Sequence, residues 1–119
     1  MVVKYLMERY YKLLIPLRNY KNKFMYIIIL TYQKDLSEVE KHLEAHRTYL
    51  DKHYASGHFI ASGAQIPRKG GVILCKANSR GEVETVIAQD PFYEHRIASY
   101  QIIEFVPTKY SEEFGKVLL

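Results

Sequence analysis

The sequence predicts an α+β domain, a four-stranded antiparallel sheet with two helices on one face. Three observations lead there. Four runs rich in β-branched and aromatic residues fall at 25–32, 58–63, 71–77 and 98–106. Stretches with helical periodicity lie between the first and second runs and between the third and fourth. Glycine, proline and capping residues mark the junctions.

The first strand is MYIIILTY, residues 25–32. Its apolar residues fill both alternating positions, with Tyr26, Ile28 and Leu30 on one side and Met25, Ile27 and Ile29 on the other. Both faces are therefore expected to be covered. Ser37, with Glu40 three residues on, reads as a capping box that opens the first helix. Leu36, Val39, Leu43, His46, Leu50 and His53 then recur every three or four residues, one stripe of a helix running to about Ser56. Gly57 follows as a left-handed cap.

The short strand at 58–63 and the strand at 71–77 flank a turn that holds Pro67, Arg68 and Lys69. Ser79 and Glu82 form a second capping box, for a helix through Val83, Val86 and Ile87 to about Gln89. Asp90-Pro91-Phe92 then breaks the chain and suits the start of a short helical turn. The last strand, ASYQIIEFV, ends at Pro107. The order β-α-β-β-α-β is the split βαβ, ferredoxin-like arrangement. Two helices cover one face of such a sheet. The apolar residues on the other face of the first and last strands call for a second cover, most simply another copy of the chain packed sheet against sheet about a two-fold axis. The expected organisation is an extension at 1–24, one domain at 25–107, and a tail at 108–119 to which the sequence assigns no element.

Charge divides the chain at the same place. The net charge is +4 over 119 residues, but residues 1–24 hold six Lys/Arg against one acid, or +5. Residues 25–119 hold 11 Lys/Arg against 12 acids, or −1. The basic character belongs to the extension, and no nucleic-acid partner is expected for the domain. Val3, Leu6, Tyr10, Leu13 and Leu17 lie on one stripe of a basic amphipathic helix that Pro16 would end or kink. That stretch suits a membrane surface or a partner, and equally an appendage ahead of a domain opened by Met25. It lacks the cleavage site of a secretory signal. No run of about 18 apolar residues exists to span a membrane as a helix. The single cysteine, Cys75, excludes an intrachain disulfide and fits a reduced, cytoplasmic protein; in its strand it reads as a core residue. The phosphate-binding P-loop, the dinucleotide glycine motif and the G-x-S-x-G nucleophile elbow are all missing.

His46 is the most telling polar residue. It sits mid-stripe between Leu43 and Leu50, so it faces the sheet. An imidazole there suits general acid–base work if a carboxylate orients it. Asp90, at the end of the second helix, is placed to be that partner. A core histidine bonded to a backbone carbonyl explains His46 as well, and an N-cap followed by Pro at N1 explains Asp90. Ser62, before Gly63, and Tyr32, at the end of the first strand, are candidates to contact a ligand. His42 and His46 stand four apart, but HLEAH lacks the metalloprotease arrangement and no third ligand follows; no metal is expected. Arg47 points about 100° from His46 on the helix and is expected at the surface. His53 and His58 are expected at the surface or rim, with His95 in solvent. Arg68 and Lys69 suit either a solvated turn or the attraction of an anion.

The chain resembles the YCII-related (YciI-like) family of the dimeric α/β-barrel group, over about residues 25–107. The resemblance rests on MYIIILTY, the helix segment HLEAHRTYLDKHYASG, the pairs Ser62-Gly63 and Gly70-Gly71, the element Asp90-Pro91-Phe92 and the strand SYQIIEFVP, in that order and spacing. It implies the ferredoxin-like fold, a homodimer and a pocket with a His and an Asp. Matched by motif, the family's candidate catalytic groups fall on His46 and Asp90. It also implies acid–base chemistry on small, often aromatic, molecules.

Two functional readings follow. The first is a small enzyme of lyase or isomerase type, with no cofactor, using a His46–Asp90 dyad on a small aromatic or anionic molecule placed by Ser62 and Tyr32. The second is a non-catalytic dimeric module that binds small molecules or regulates a partner.

Overall fold

The computed structural model describes residues 24–118. The extension expected at 1–24 lies outside them but for Phe24. Strand β1 (Met25–Tyr32) is followed by helix α1 (Leu36–Ala55), strands β2 (Phe59–Ala64) and β3 (Gly70–Lys76), and helix α2 (Arg80–Ala88). A single-turn helix α3 (Pro91–Glu94), strand β4 (Ala98–Phe105) and a second short helix α4 (Glu112–Gly115) complete the order. The four strands form one antiparallel sheet in the order β2-β3-β1-β4. This is the ferredoxin-like α+β fold expected from the sequence.

Register decides which residues face the helices. Ile28 pairs with Ile73 and with Ile102, and Tyr26 with Cys75 and Glu104, so these side chains share one face. That face meets Val39 and Tyr49 of α1, Val83, Val86 and Ile87 of α2, and Phe92 of α3 in one buried cluster. Full burial of each such aliphatic or aromatic side chain contributes roughly 1.5–3 kcal/mol. Cys75 is part of this core, and burial pushes its thiol up to about 12. Tyr26 keeps its hydroxyl satisfied by donating to Glu104 Oε1 at 2.8 Å.

Two of the expected caps differ in detail. Helix α1 starts at Leu36, with Asp35 rather than Ser37 as its N-cap. The Asp35 carbonyl accepts from the N–H groups of Glu38 and Val39, so the helix opens two residues earlier and Ser37 sits inside its first turn. In α2, Ser79 does cap Glu82 N–H, but the Glu82 carboxylate accepts from Asn78 N–H rather than from Ser79. Gly57 after α1 has a φ of +87°, the left-handed conformation expected of it. Gly70 is required for a different reason: a Cβ there would overlap the carbonyl oxygen of Leu30 on the adjoining strand.

The opposite sheet face carries Ile27, Ile29, Val72 and Leu74, all half-buried, with Ile103 and Phe105 each 39% exposed. The tail adds a 3-10 turn at Lys116–Leu118, where Leu118 is buried and the Val117 carbonyl accepts from Lys76 Nζ at 2.8 Å. No described helix is long and apolar enough to cross a membrane.

Candidate functional site

The capping preference of Asp90 and the apolar stripe of α1 converge at one point. Asp90 stands between α2 and α3 in extended conformation and caps α3, accepting Phe92 N–H on Oδ1 at 2.9 Å, with Pro91 next in the chain. The same Oδ1 lies 2.8 Å from His46 Nδ1. Oδ2 accepts from the Tyr100 hydroxyl at 2.6 Å. The capping explanation of Asp90 and the pairing explanation therefore both hold, because one carboxylate oxygen serves two donors. Asp90 is 0% exposed, so the three donors offset the cost of burying it.

This geometry fixes a tautomer. A carboxylate oxygen only accepts, so His46 Nδ1 carries a proton, and in the neutral imidazole Nε2 carries the lone pair. His46 packs flat on Phe92 and its side chain keeps 11% of its surface exposed. No protein partner engages Nε2 among the described residues. Since no fully buried side-chain polar atom lacks a partner, Nε2 reaches solvent.

The ring opens onto a cleft of about 500 Å³ between α1 and the β2–β3 side of the sheet. Leu30, Leu43, Leu50, Ile73 and Phe92 supply its apolar lining. Ser62 and Tyr32 line it too, as the sequence suggested, and the Ser62 hydroxyl is bonded to Tyr54 Oη at 2.6 Å. Ser62 reaches the cleft because it pairs with Ile73 and so shares the helix-facing side of the sheet.

Charge enters from the rim. Arg68 Nη1 lies 2.8 Å from Glu40 Oε1, and its guanidinium stands 5.9 Å from the centre of the Tyr32 ring. Arg47, expected at the surface, also lines the cleft. It stays exposed, as its position on the helix requires. No ion pair engages Arg47 among the described residues.

Two further ring side chains of α1 face inward. Tyr49 turns into the core and donates to the Val86 carbonyl at 2.9 Å, where burial pushes its hydroxyl up. His53 is buried rather than at the rim, with Nε2 3.0 Å from Gln89 Oε1 and Nδ1 3.5 Å from His58 Nδ1. His58 in turn contacts Glu82 Oε1 at 2.8 Å. Gln89, at the end of α2, and His58, just before β2, supply the partners that let the His53 ring leave solvent. His95 is exposed and stacks on His42, ring centres 4.3 Å apart. Tyr100 was missed as a partner of Asp90. The only hint was its place on the helix-facing side of the last strand, shared with Ile102 and Glu104.

Residues 25–106 match the model of the YCII-related domain. The chain belongs to this family. No curated protein matches the sequence. Among solved structures, this YCII-related chain is similar to the 5-chloro-2-hydroxyhydroquinone dehydrochlorinase TftG of Burkholderia phenoliruptrix AC1100, in complex with 2,5-dihydroxybenzoquinone. That likeness has a TM-score of 0.61 at 17% identity and covers 75% of this chain and 97% of the other. A fainter likeness is to SnoaB, a cofactor-independent oxygenase from Streptomyces nogalater, with a TM-score of 0.43 at 8% identity, covering 75% of this chain and 96% of that one. At 17% identity the likeness to the dehydrochlorinase speaks to the fold.

Proposed function

We propose that this YCII-related protein is a small enzyme of lyase or isomerase type that works without a cofactor, with His46 as its proton-transfer group and Asp90 as the residue that orients it. The observation that carries this reading is the 2.8 Å contact between His46 Nδ1 and Asp90 Oδ1, with the other ring nitrogen left on the cleft. His46 Nε2 takes a proton from the substrate and returns it at a later step. Asp90 keeps the proton on Nδ1 and steadies the imidazolium that forms. The apolar lining excludes water and accepts a small ring, and Ser62 and Tyr32 place its polar substituents. Arg47 and Arg68 at the rim favour an anionic or acidic molecule. The ligand held by the dehydrochlorinase of the same fold, 2,5-dihydroxybenzoquinone, makes a sensible first probe.

We also propose that the protein works as a homodimer, joined through the sheet face that the helices leave open. The support is the half-exposed row of Ile27, Ile29, Leu74, Ile103 and Phe105.

The deciding experiment is an NMR titration of the His46 ring in the native chain and in Asp90→Asn. A working dyad requires the His46 pKa to fall in the variant, since the stabilising charge is gone. If His46 does not titrate, or titrates identically in both chains, the dyad is abandoned and the protein is better read as a non-catalytic binding module.

A further inference from the structure

We infer that Tyr100 is a positioning residue of this site, whose hydroxyl sets how strongly Asp90 holds the His46 imidazolium. This rests on the His46–Asp90 reading and extends it to a residue on a different element.

The two oxygens of Asp90 have different tasks. Oδ1 accepts from His46 Nδ1–H and from the Phe92 backbone N–H. Oδ2 accepts from the Tyr100 hydroxyl at 2.6 Å, the shortest of the three contacts. A phenol hydroxyl that donates to a carboxylate draws off part of its negative charge. Each increment of charge drawn to Oδ2 is lost to Oδ1, where the imidazolium is steadied. Asp90 is wholly buried, so no water shares the task and the effect is not screened.

Tyr100 is built for a fixed role. It comes from β4, the edge strand beside β1, where its backbone pairs with Leu30. Its ring meets Tyr93 of α3 edge-on, with centres 5.8 Å apart. Burial, and next the charge of Asp90, push its hydroxyl well up, so it stays a donor at any working pH. Its other side borders a second depression, lined by Gln33, Tyr93, Glu94, Arg96 and Ser99, away from the cleft. Tyr100 therefore acts on the cleft through Asp90. The other titratable groups within the field of Asp90 are Tyr49 and His53 of α1. Neither hydrogen-bonds to Asp90, and Arg47 on the cleft rim is the nearest chain neighbour of His46 with a fixed charge.

The test reads the His46 pKa by ring NMR in full-length protein. Tyr100→Phe removes the donor and keeps the ring. Asp90 then concentrates its charge on Oδ1, and His46 is expected to rise by about half a pH unit or more. Site-specific 3-fluorotyrosine at position 100 makes the phenol a stronger donor, and His46 is expected to fall. Opposite shifts support the inference. A purely structural Tyr100 would alter the melting temperature and leave the His46 titration where it was, and that result overturns it, as does a fall in Tyr100→Phe. If Tyr100→Phe does not fold, the fluorotyrosine chain decides alone: a lower His46 pKa supports the inference and an unmoved one overturns it. Asp90→Asn separates the two levels. If it leaves His46 unmoved, the dyad itself fails; if it moves His46 while both Tyr100 changes do not, only the role of Tyr100 fails.

Discussion

His46 and Phe92 lie ring on ring, with centres 4.0 Å apart and planes 2° from parallel. Phe92 also donates its backbone N–H to the carboxylate that holds His46. One residue thus sets both the tilt of the imidazole and the position of its partner. Phe92→Ala should cost about 3–5 kcal/mol in urea unfolding, the usual loss for a buried aromatic. It should also shift the His46 ring protons downfield, as the ring current above them disappears. Unchanged His46 shifts in a folded variant would show that the stack does not hold the ring.

Arg47 is the rim cation with no acidic partner among the described residues, whereas Arg68 is already paired with Glu40. Arg47→Ala should therefore weaken binding of 2,5-dihydroxybenzoquinone more than Arg68→Ala does, by about five-fold at low salt. The difference should shrink as salt is raised. Equal losses in the two variants, measured by calorimetry, would argue against Arg47 as the anion-selecting group.

His53, at the far end of α1, should make the fold sensitive to acid. Burial, above all, holds His53 below its ordinary value of 6.5. The native state then binds fewer protons than the unfolded chain, so stability is complete above about pH 6.5 and is lost as pH falls through the native value. Glu82 adds a second loss lower down. The bond from His58 holds it below its ordinary 4.5, so its contribution fades as pH falls past that point. Urea midpoints measured from pH 8 to pH 4 should decline first near 6.5. The His53→Gln chain should show a shallower decline. A native midpoint flat between pH 7 and pH 5 would rule this out.

Ile103 and Phe105 stand on the sheet face opposite the helices. If two copies meet there, Ile103→Glu places like charges against each other across a two-fold axis. Sedimentation should then show a monomer where the native chain is a dimer, with the His46–Asp90 contact intact by NMR. A native chain that sediments as a monomer at high concentration would end the dimer proposal.

The fold was largely legible because its signals are local. Periodicity placed β1 and α1, and Ser79, Gly57 and Asp90-Pro91 marked real element ends. The α1 start was misplaced because Asp35 offered a backbone cap two residues ahead of the better side-chain cap at Ser37. His46 was legible because a polar residue in an apolar stripe needs a reason. His53 and Tyr100 were misread or missed for the opposite cause. Their environments come from elements far along the chain, which no window of sequence contains.

The sequence by itself determined the order of elements, the side of α1 that meets the sheet, and the two polar residues, His46 and Asp90, that the fold brings into contact as candidates, since each follows from residue type and spacing within a short segment. Tertiary structure decided the rest. Strand register brought Tyr100 and Ser62 onto the helix-facing side of the sheet. Packing of α1 against α3 brought residues 44 positions apart within 2.8 Å. With Asp90 buried beneath three donors, that packing fixed which nitrogen of His46 holds the proton and which one the cleft receives.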